Sequence, residues 1–364
     1  MKRSIYLLSL IITTLWSCQQ IQRNNLLDNR FPFQDSKTGK WGYVNRDGEI
    51  IIDPEYDDAS HFKERYALVK KNRFRFYINE FNEKVLQPDY GGFSEFGEGL
   101  TTYYDPKKER YGFIDKSGEI AISAQYESQP MTIKHGVSHF QDKRGQHIIY
   151  GTKISSGYDF IQYPFDKSGV GMAFNEVRSL DRTKKERKYY FIDRNGKVLY
   201  RAEHNERLFK FSEGLAIKYI DEDSIFRYEI INSSIETVGK LDTKGWKVEP
   251  YSFKEGLLIF KKGNKFGYFN TKGEVQIEAN FEDAFAFSEG YAIFVKGEAN
   301  RARRGFINTE GEVVIPATYY FADNFKNGLA LVTTFEERKN EKGKWVDTRC
   351  HYYINNKGKK VFEF

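Results

Sequence analysis

The chain has 364 residues, 16% of them aromatic and 30% charged, with a net charge of +6. That length can bury a long core, and the aromatic content is too high for a disordered chain. Two cysteines exclude a disulfide framework, and so mild a charge is a weak field for nucleic acid.

The first element is a targeting segment. Lys2 and Arg3 form a charged start, and Ile5 to Trp16 is mostly apolar but too short for a spanning helix. Leu15-Trp16-Ser17-Cys18 follows, with Leu three positions before the cysteine and a small residue just before it. This phrase resembles a bacterial lipobox. The resemblance implies a signal peptide over residues 1–17, a lipidated Cys18 and a polar tether over residues 18–30. Acyl chains add about 0.8 kcal/mol of membrane affinity per buried methylene. No Asp follows Cys18 and no acidic export cluster is seen, which points to the periplasmic face of the outer membrane. Loss of Lys2 and Arg3 takes the charge to +4. Cys350 is then the one cysteine left in the array, and it reads as packing at a strand end rather than as a nucleophile.

From residue 31 onward one phrase recurs. It reads G-Y-V-N-R-D-G from Gly42, G-F-I-D-K-S-G from Gly112, Y-F-I-D-R-N-G from Tyr190, G-Y-F-N-T-K-G from Gly267, G-F-I-N-T-E-G from Gly305 and Y-Y-I-N-N-K-G from Tyr352. Degenerate copies start at Phe76, His147 and Glu229, giving nine units with a period of about forty, in the range of stacked repeats. Asn or Asp opens a hairpin turn by bonding its own backbone. The glycine three residues later supplies the left-handed residue that rejoins the strands. Gly48, Gly118, Gly196, Gly273, Gly311 and Gly358 are these turn residues.

A second phrase precedes the first, as in F-S-E-G-L-A-I at Phe211, F-K-E-G-L-L-I-F at Phe253 and F-S-E-G-Y-A-I-F at Phe287. A turn glycine followed by an apolar run is a strand. Each unit therefore reads as a three-stranded meander, with strands A, B and C. The expected fold is all-β over residues 31–364, tandem meanders forming an extended twisted array, with a closed propeller-like ring as the alternative.

The K-W-G-Y-V-N-R-D-G and F-S-E-G-L-A phrases resemble the WG-repeat proteins, bacterial chains built from tandem copies of this motif. Trp41-Gly42 keeps the Trp-Gly pair intact, whereas Tyr111-Gly112, Phe266-Gly267 and Arg304-Gly305 do not. The resemblance implies an all-β repeat fold, with no catalytic residue, no cofactor and no defined ligand.

Charge is segregated between the two kinds of loop. The A-to-B loops are basic: Lys70, Lys71 and Arg73; Lys107, Lys108 and Arg110; Lys184, Lys185, Arg187 and Lys188; Arg301, Arg303 and Arg304. The C-to-A connectors lean acidic, as at Asp57-Asp58 and Glu282-Asp283. A basic binding edge is the expectation. The longest insertions, Arg178 to Lys188 and Phe335 to Arg349, read as irregular loops, and insertions in repeats gather on one face. Trp246, Tyr319-Tyr320 and Trp345 stand outside the repeat register and are free to stack on a ligand.

Catalytic signals are sparse. His135 and His139 lie in a strand, where four residues span about 13 Å, too far to share a metal. Asp115 and Asp193 occupy a turn position that is Asn in other copies, so their charge is not required. The expected function is a lipid-anchored, non-catalytic binding or scaffold module for an envelope protein or an anionic glycan, without nucleic acid, metal or cofactor. A structural spacer is the alternative, and a glycan hydrolase would need paired carboxylates across a cleft.

Overall fold

A computed structural model describes residues 30–87, 93–155, 157–178, 185–222, 225–244, 248–297, 301–339 and 343–363. The signal peptide, Cys18, Lys184 and Trp246 lie outside the described residues.

The described residues form nine small antiparallel sheets and no α-helix. No strand is shared between sheets, so each is a separate blade. The chain divides into two compact units, the first ending at Asp89 and the second running from Tyr90 to Glu363. The first unit holds sheets one and two, and the second holds sheets three to nine. The fold is all-β and propeller-like, the second of the two arrangements expected, rather than the extended array.

Strand B lies between strands A and C in every sheet, as expected. Examples are Trp41–Val44 in sheet one, Lys185–Asp193 in sheet five, Ile225–Asn232 in sheet six and Lys265–Asn270 in sheet seven. The three-stranded reading is corrected in six of the nine sheets, where a fourth strand precedes A. Four of these strands, Asp58–Ala59, Phe160–Ile161, Asp283–Ala284 and Phe321–Ala322, have two residues each. Two residues are too few to show an alternating pattern, so these segments read as connectors.

The turns follow their chemistry. Asn45 Oδ1 accepts from the amides of Asp47 at 3.0 Å and Glu49 at 2.9 Å. Gly48 follows at φ +87°, and its five counterparts share the left-handed region. Asn45 Nδ2 also donates to the Glu49 carboxylate at 2.7 Å. The same Asn-to-Glu bond recurs at Asn79, Asn232, Asn270 and Asn308.

The glycine that opens the phrase has a different purpose. Opposite Gly42, strand C runs from Ile52, paired with Tyr43, to Tyr56, paired with Trp41. Three residues of C thus face one residue of B, a wide bulge. A Cβ on Gly42 would stand 2.5 Å from the Ile52 carbonyl oxygen. Gly112, Gly267 and Gly305 face the same bulge, with the carbonyls of Ile122, Ile277 and Ile315 at 2.4, 2.6 and 2.5 Å. Where the position is Tyr190, Glu229 or Tyr352, strand C pairs with it directly, through Arg201, Lys240 and Glu363. Glycine here is the space into which the neighbouring strand bulges.

Both faces of strand B are buried, because sheets pack face to face. Tyr43, Ile52, Tyr56 and Phe62 of sheet one and its connector meet Ala67, Val69 and Ile78 of sheet two. In the second unit an apolar cluster fills each successive interface: three–four around Phe113 and Phe140, four–five around Ile148 and Ala173, five–six around Phe191 and Phe211. The six–seven, seven–eight and eight–nine interfaces follow around Tyr228, Tyr268 and Phe306. Each fully buried aromatic side chain contributes on the order of 1.5–3 kcal/mol.

A ladder of carboxylates joins consecutive sheets of the second unit. Glu213 accepts from the amides of Glu255 at 2.7 Å and Gly256 at 2.9 Å. Glu255 in turn accepts from Glu289 at 2.6 Å and Gly290 at 2.8 Å, and Glu289 from Asn327 at 2.6 Å and Gly328 at 2.7 Å. The E-G phrase is thus a turn that holds the next turn, which explains its Glu: the residue takes φ of +51° to +56° at 213, 255 and 289, a conformation unfavourable to it.

Candidate functional site

The described parts of the two long insertions are mostly strands, not irregular loops; residues 179–184 and 340–342 lie outside the described residues. Val170–Arg178 pairs with Lys185–Asp193 over nine residue pairs, and Leu329–Lys339 with Trp345–Asn355 over eleven. Both are extended A–B hairpins. Their outer parts are exposed on both faces, as at Lys185 to Lys188, so they lack the apolar alternation that marks a half-buried strand.

Around the first hairpin, alternation places a set of side chains on one face. Phe160 pairs with Phe174, and Phe174 with Tyr189, forming a row across three strands of sheet five. Phe160 and Phe174 stack at 5.0 Å with rings 10° from parallel. One step along, Glu176 faces Arg187, whose Nε donates to it at 3.3 Å. The Arg187 guanidinium lies 4.6 Å from the Phe174 ring centre, and the Lys210 ammonium 5.8 Å from that of Phe160. Attraction to the ring faces holds these cations beside the aromatic row.

Sheet six supplies a second row. Arg207 pairs with Tyr219, and Tyr219 with Tyr228. Tyr228 is buried and its hydroxyl donates to the Val248 carbonyl at 2.9 Å. Tyr219 donates to Asp221 at 3.0 Å, and its hydroxyl is pushed up to about 12 by burial first and by that carboxylate second. Together with Pro250, Tyr251 and Ser252 of sheet seven, the two rows line a cleft of about 730 Å³. A second cleft of about 1090 Å³ adjoins it, sharing Arg187, Tyr189, Arg207, Tyr219 and Asp221 and adding Lys188, Arg201 and His204 together with the carboxylates Glu176, Glu186, Glu203 and Glu206. Arg207 is exposed, and neither it nor Lys210 has a carboxylate partner among the described residues.

The basic residues expected to form an edge sit at separate hairpins. Lys70 is half-buried in strand A of sheet two, opposite Asp58, Lys71 pairs with Glu55, and Arg73 lies over Phe74. Lys108 lies 3.9 Å from Asp105 and Arg110 3.8 Å from Glu127, while Lys107 is exposed. Arg303 lies over Tyr320, Arg304 over Phe321, and Arg301 is exposed. Lys185, Arg187 and Lys188 reach the clefts. Arg207, Lys210, Tyr219 and Tyr251, which complete the cleft, were not picked out by sequence. The signal available was Arg207-Leu208-Phe209-Lys210, two cations at either end of an apolar pair before the F-S-E-G phrase.

Other candidates have structural accounts. His147 donates or accepts at both ring nitrogens, 2.8 Å from Asp142 and 3.0 Å from the Ser155 carbonyl. Burial pushes the Asp142 carboxyl up, but hydrogen bonds from His147 and Arg144 outweigh it and hold it at about 2. Tyr319 is buried, while Tyr320 and Trp345 are exposed. The buried Cys350 thiol lies within 4.8 Å of Glu336 and Glu363, but the Lys360 ammonium already pairs with both carboxylates.

Four segments, residues 41–73, 111–128, 266–298 and 305–334, match the WG containing repeat family model. Each includes one of the four bulge-facing glycines. The chain carries WG repeats. No curated protein matches its sequence. Among solved structures, a eukaryotic initiation factor superposes with a TM-score of 0.59 at 8% identity, covering 92% of this chain and 95% of that one. Dipeptidyl peptidase 4 of Porphyromonas gingivalis gives 0.44 at 8% identity, over 92% of this chain and 58% of the peptidase. Oligopeptidase B from Leishmania major gives 0.39 at 8% identity, over 82% of this chain and 47% of the oligopeptidase, so the chain spans about half the length of these enzymes. The WG repeats thus build a propeller-like fold, and the cleft lies where the family model finds no repeat.

Proposed function

We propose that this WG-repeat chain is a non-catalytic binding module, held at the periplasmic face of the outer membrane by a lipid on Cys18, and that it engages an envelope protein or an anionic glycan. The observation that carries the binding role is the cleft of sheets five to seven, where cations without carboxylate partners stand beside aromatic rings. The β-repeat fold is itself suited to a binding or scaffold role. Its sheets are rigid supports from which hairpins of different length project, an arrangement that positions binding residues on a fixed frame.

The anchor rests on the sequence around Cys18, and it has its own test. Palmitate labelling of the full chain, with retention in outer-membrane fractions, is expected and should vanish in Cys18→Ala. Equal labelling of the variant refutes the anchor and leaves the binding role untouched. Capture of envelope partners should weaken with salt and on neutralising Lys185, Arg187 and Lys188, since exposed charges are screened within about 8 Å at physiological ionic strength. Capture unchanged by both refutes the electrostatic part of the proposal.

A further inference from the structure

The cleft has a composition that narrows its ligand. The charged groups of the first cleft are biased toward cations: among the described residues Arg207 and Lys210 have no carboxylate partner, and Arg187 shares Glu176 with Lys185. Asp221 is the one carboxylate lining the first cleft, and its oxygen already accepts from Tyr219. An anion is therefore favoured, and a cation is not.

The apolar groups are flat. Phe160, Phe174, Tyr189, Tyr219 and Tyr251 line the space, and Tyr251 is 46% exposed. Tyr and Phe rings on a β framework accept the C–H faces of pyranose rings, and tyrosine offers a hydroxyl for their polar edges. The Phe160–Phe174 stack is fixed by direct strand pairing, so this wall is formed before any ligand arrives.

The 730 Å³ cleft is within the range of small-molecule sites, whereas the adjoining 1090 Å³ cleft is lined by five carboxylates, Glu176, Glu186, Glu203, Glu206 and Asp221, against five Lys and Arg side chains. A single small anion would leave most of the first cleft empty. A chain of sugar rings bearing carboxylates fills it, with rings on the aromatic walls and carboxylates at Arg207, Lys210 and Arg187.

We infer that the first cleft, of sheets five to seven, binds an acidic oligosaccharide, a polymer of uronic-acid type. Arg207 is its central carboxylate contact and Tyr251 a stacking platform. This inference rests on the binding-module reading and names the ligand class and the site.

The test is calorimetric titration of the folded chain with oligogalacturonate, its fully methyl-esterified form and a poly-glutamate peptide of matched charge, at 20 and 150 mM salt. Oligogalacturonate should bind, the neutral ester should bind roughly tenfold more weakly, and poly-glutamate should bind no better than the ester. Arg207→Gln and, separately, Lys210→Gln should each weaken oligogalacturonate roughly five- to tenfold, while Tyr251→Ala should weaken acid and ester alike. Arg207, Lys210 and Tyr251 are all exposed, so the three variants keep the fold. Arg73→Gln on sheet two is the control and should change nothing.

Equal binding of poly-glutamate overturns the saccharide class. Undiminished binding in all three variants overturns the site. Absence of oligogalacturonate binding overturns this inference alone if a purified envelope protein still binds the same chain with salt-sensitive affinity. If neither binds, the binding-module reading falls with it.

Discussion

Replacing Gly267 by alanine is the sharpest probe of the repeat. Strand C of sheet seven bulges toward this residue, and an added Cβ would lie 2.6 Å from the Ile277 carbonyl oxygen, 2.8 Å from the Ala279 amide nitrogen and 2.9 Å from the Ala279 Cα. All three are backbone atoms, so no rotamer change relieves the contact. Either the bulge straightens or strand B moves, and both disturb Tyr268 and Phe269, which are buried at the seven–eight and six–seven interfaces. Overpacking of this kind costs about 1–3 kcal/mol. In a unit of this size each kcal/mol lowers the melting temperature by about 2 °C, so Gly267→Ala should melt some 2–6 °C below the parent chain. Gly239→Ala is the control: it is a strand glycine without a positive φ, and its nearest neighbour is the flexible end of Ile230, 3.3 Å from the new Cβ. There alanine lowers only the freedom of the unfolded chain and should be neutral or stabilise by about 0.4–1 kcal/mol. Differential scanning calorimetry of both variants decides the matter. Equal melting temperatures for Gly267→Ala and the parent would refute the account of the Trp-Gly glycine as a space for the bulge.

Three further outcomes follow from the same contacts. Asn270→Asp sets a carboxylate against that of Glu274, whose partner the Asn270 amide was at 3.0 Å. It should destabilise by about 0.5–1 kcal/mol at pH 7, and the loss should disappear in Asn270→Asp/Glu274→Lys, the pairing already present at Asp193 and Lys197. Glu255→Gln weakens the charge-assisted grip on the Glu289 and Gly290 amides, and should cost about 0.5–1.5 kcal/mol in denaturant unfolding and speed hydrogen exchange at Gly290. His139 has a buried ring nitrogen without a partner, and burial holds its pKa below the usual histidine value. Below about pH 6.5 the unfolded chain therefore binds more protons than the folded one, so stability falls as pH drops from there toward the lowered value. His139→Phe, which keeps a ring against Tyr163, should flatten that part of the melting-temperature profile; an unchanged slope assigns it to other groups.

How much of this could be read in advance depended on length and on which faces are buried. Strands A and B were legible because residues such as Tyr43, Val44, Phe191 and Ile192 are buried on both faces and form continuous apolar runs. The turns were legible because Asn45 and Gly48 each have a local conformational reason. Glu255 and the first glycine of the phrase were not, since their partners are the next turn's amides and a neighbouring strand's carbonyl, contacts that no local rule encodes. Ile235 shows the opposite case. It takes the turn glycine's place at φ +65°, a strained choice for a β-branched residue, and packs on the cluster between sheets five and six. Of the candidate site, the cations at 185, 187 and 188 were visible as a charge run, but their joining to Arg207 and Tyr251 depends on the stacking of three sheets.

The cleft and the departure from the motif have one physical cause. In sheet one, strand C spans seven residues and its bulge carries it to a pairing opposite Trp41. In sheet five the glycine is Tyr190 and strand C is Val198–Arg201, whose last pairing is Arg201 with Tyr190. The Ala202 amide still donates to the Tyr189 carbonyl at 3.0 Å, and residues 185 to 188 lie beyond it, so strand C does not cover the outer part of the long hairpin there. Sheet six repeats the arrangement: Glu229 pairs with Lys240 at the end of Thr237–Lys240, the Leu241 amide donates to the Tyr228 carbonyl at 2.9 Å, and Arg227 and Phe226 extend past it. Losing the bulge thus leaves the outer hairpins of two successive sheets without a third strand, and Arg187, Tyr189, Arg207 and Tyr219 line the cleft there while Tyr228 stays buried at the six–seven interface. A site built this way requires the motif to fail in adjacent copies, which is why the family model passes over residues 129–265, the stretch that supplies every residue of the cleft.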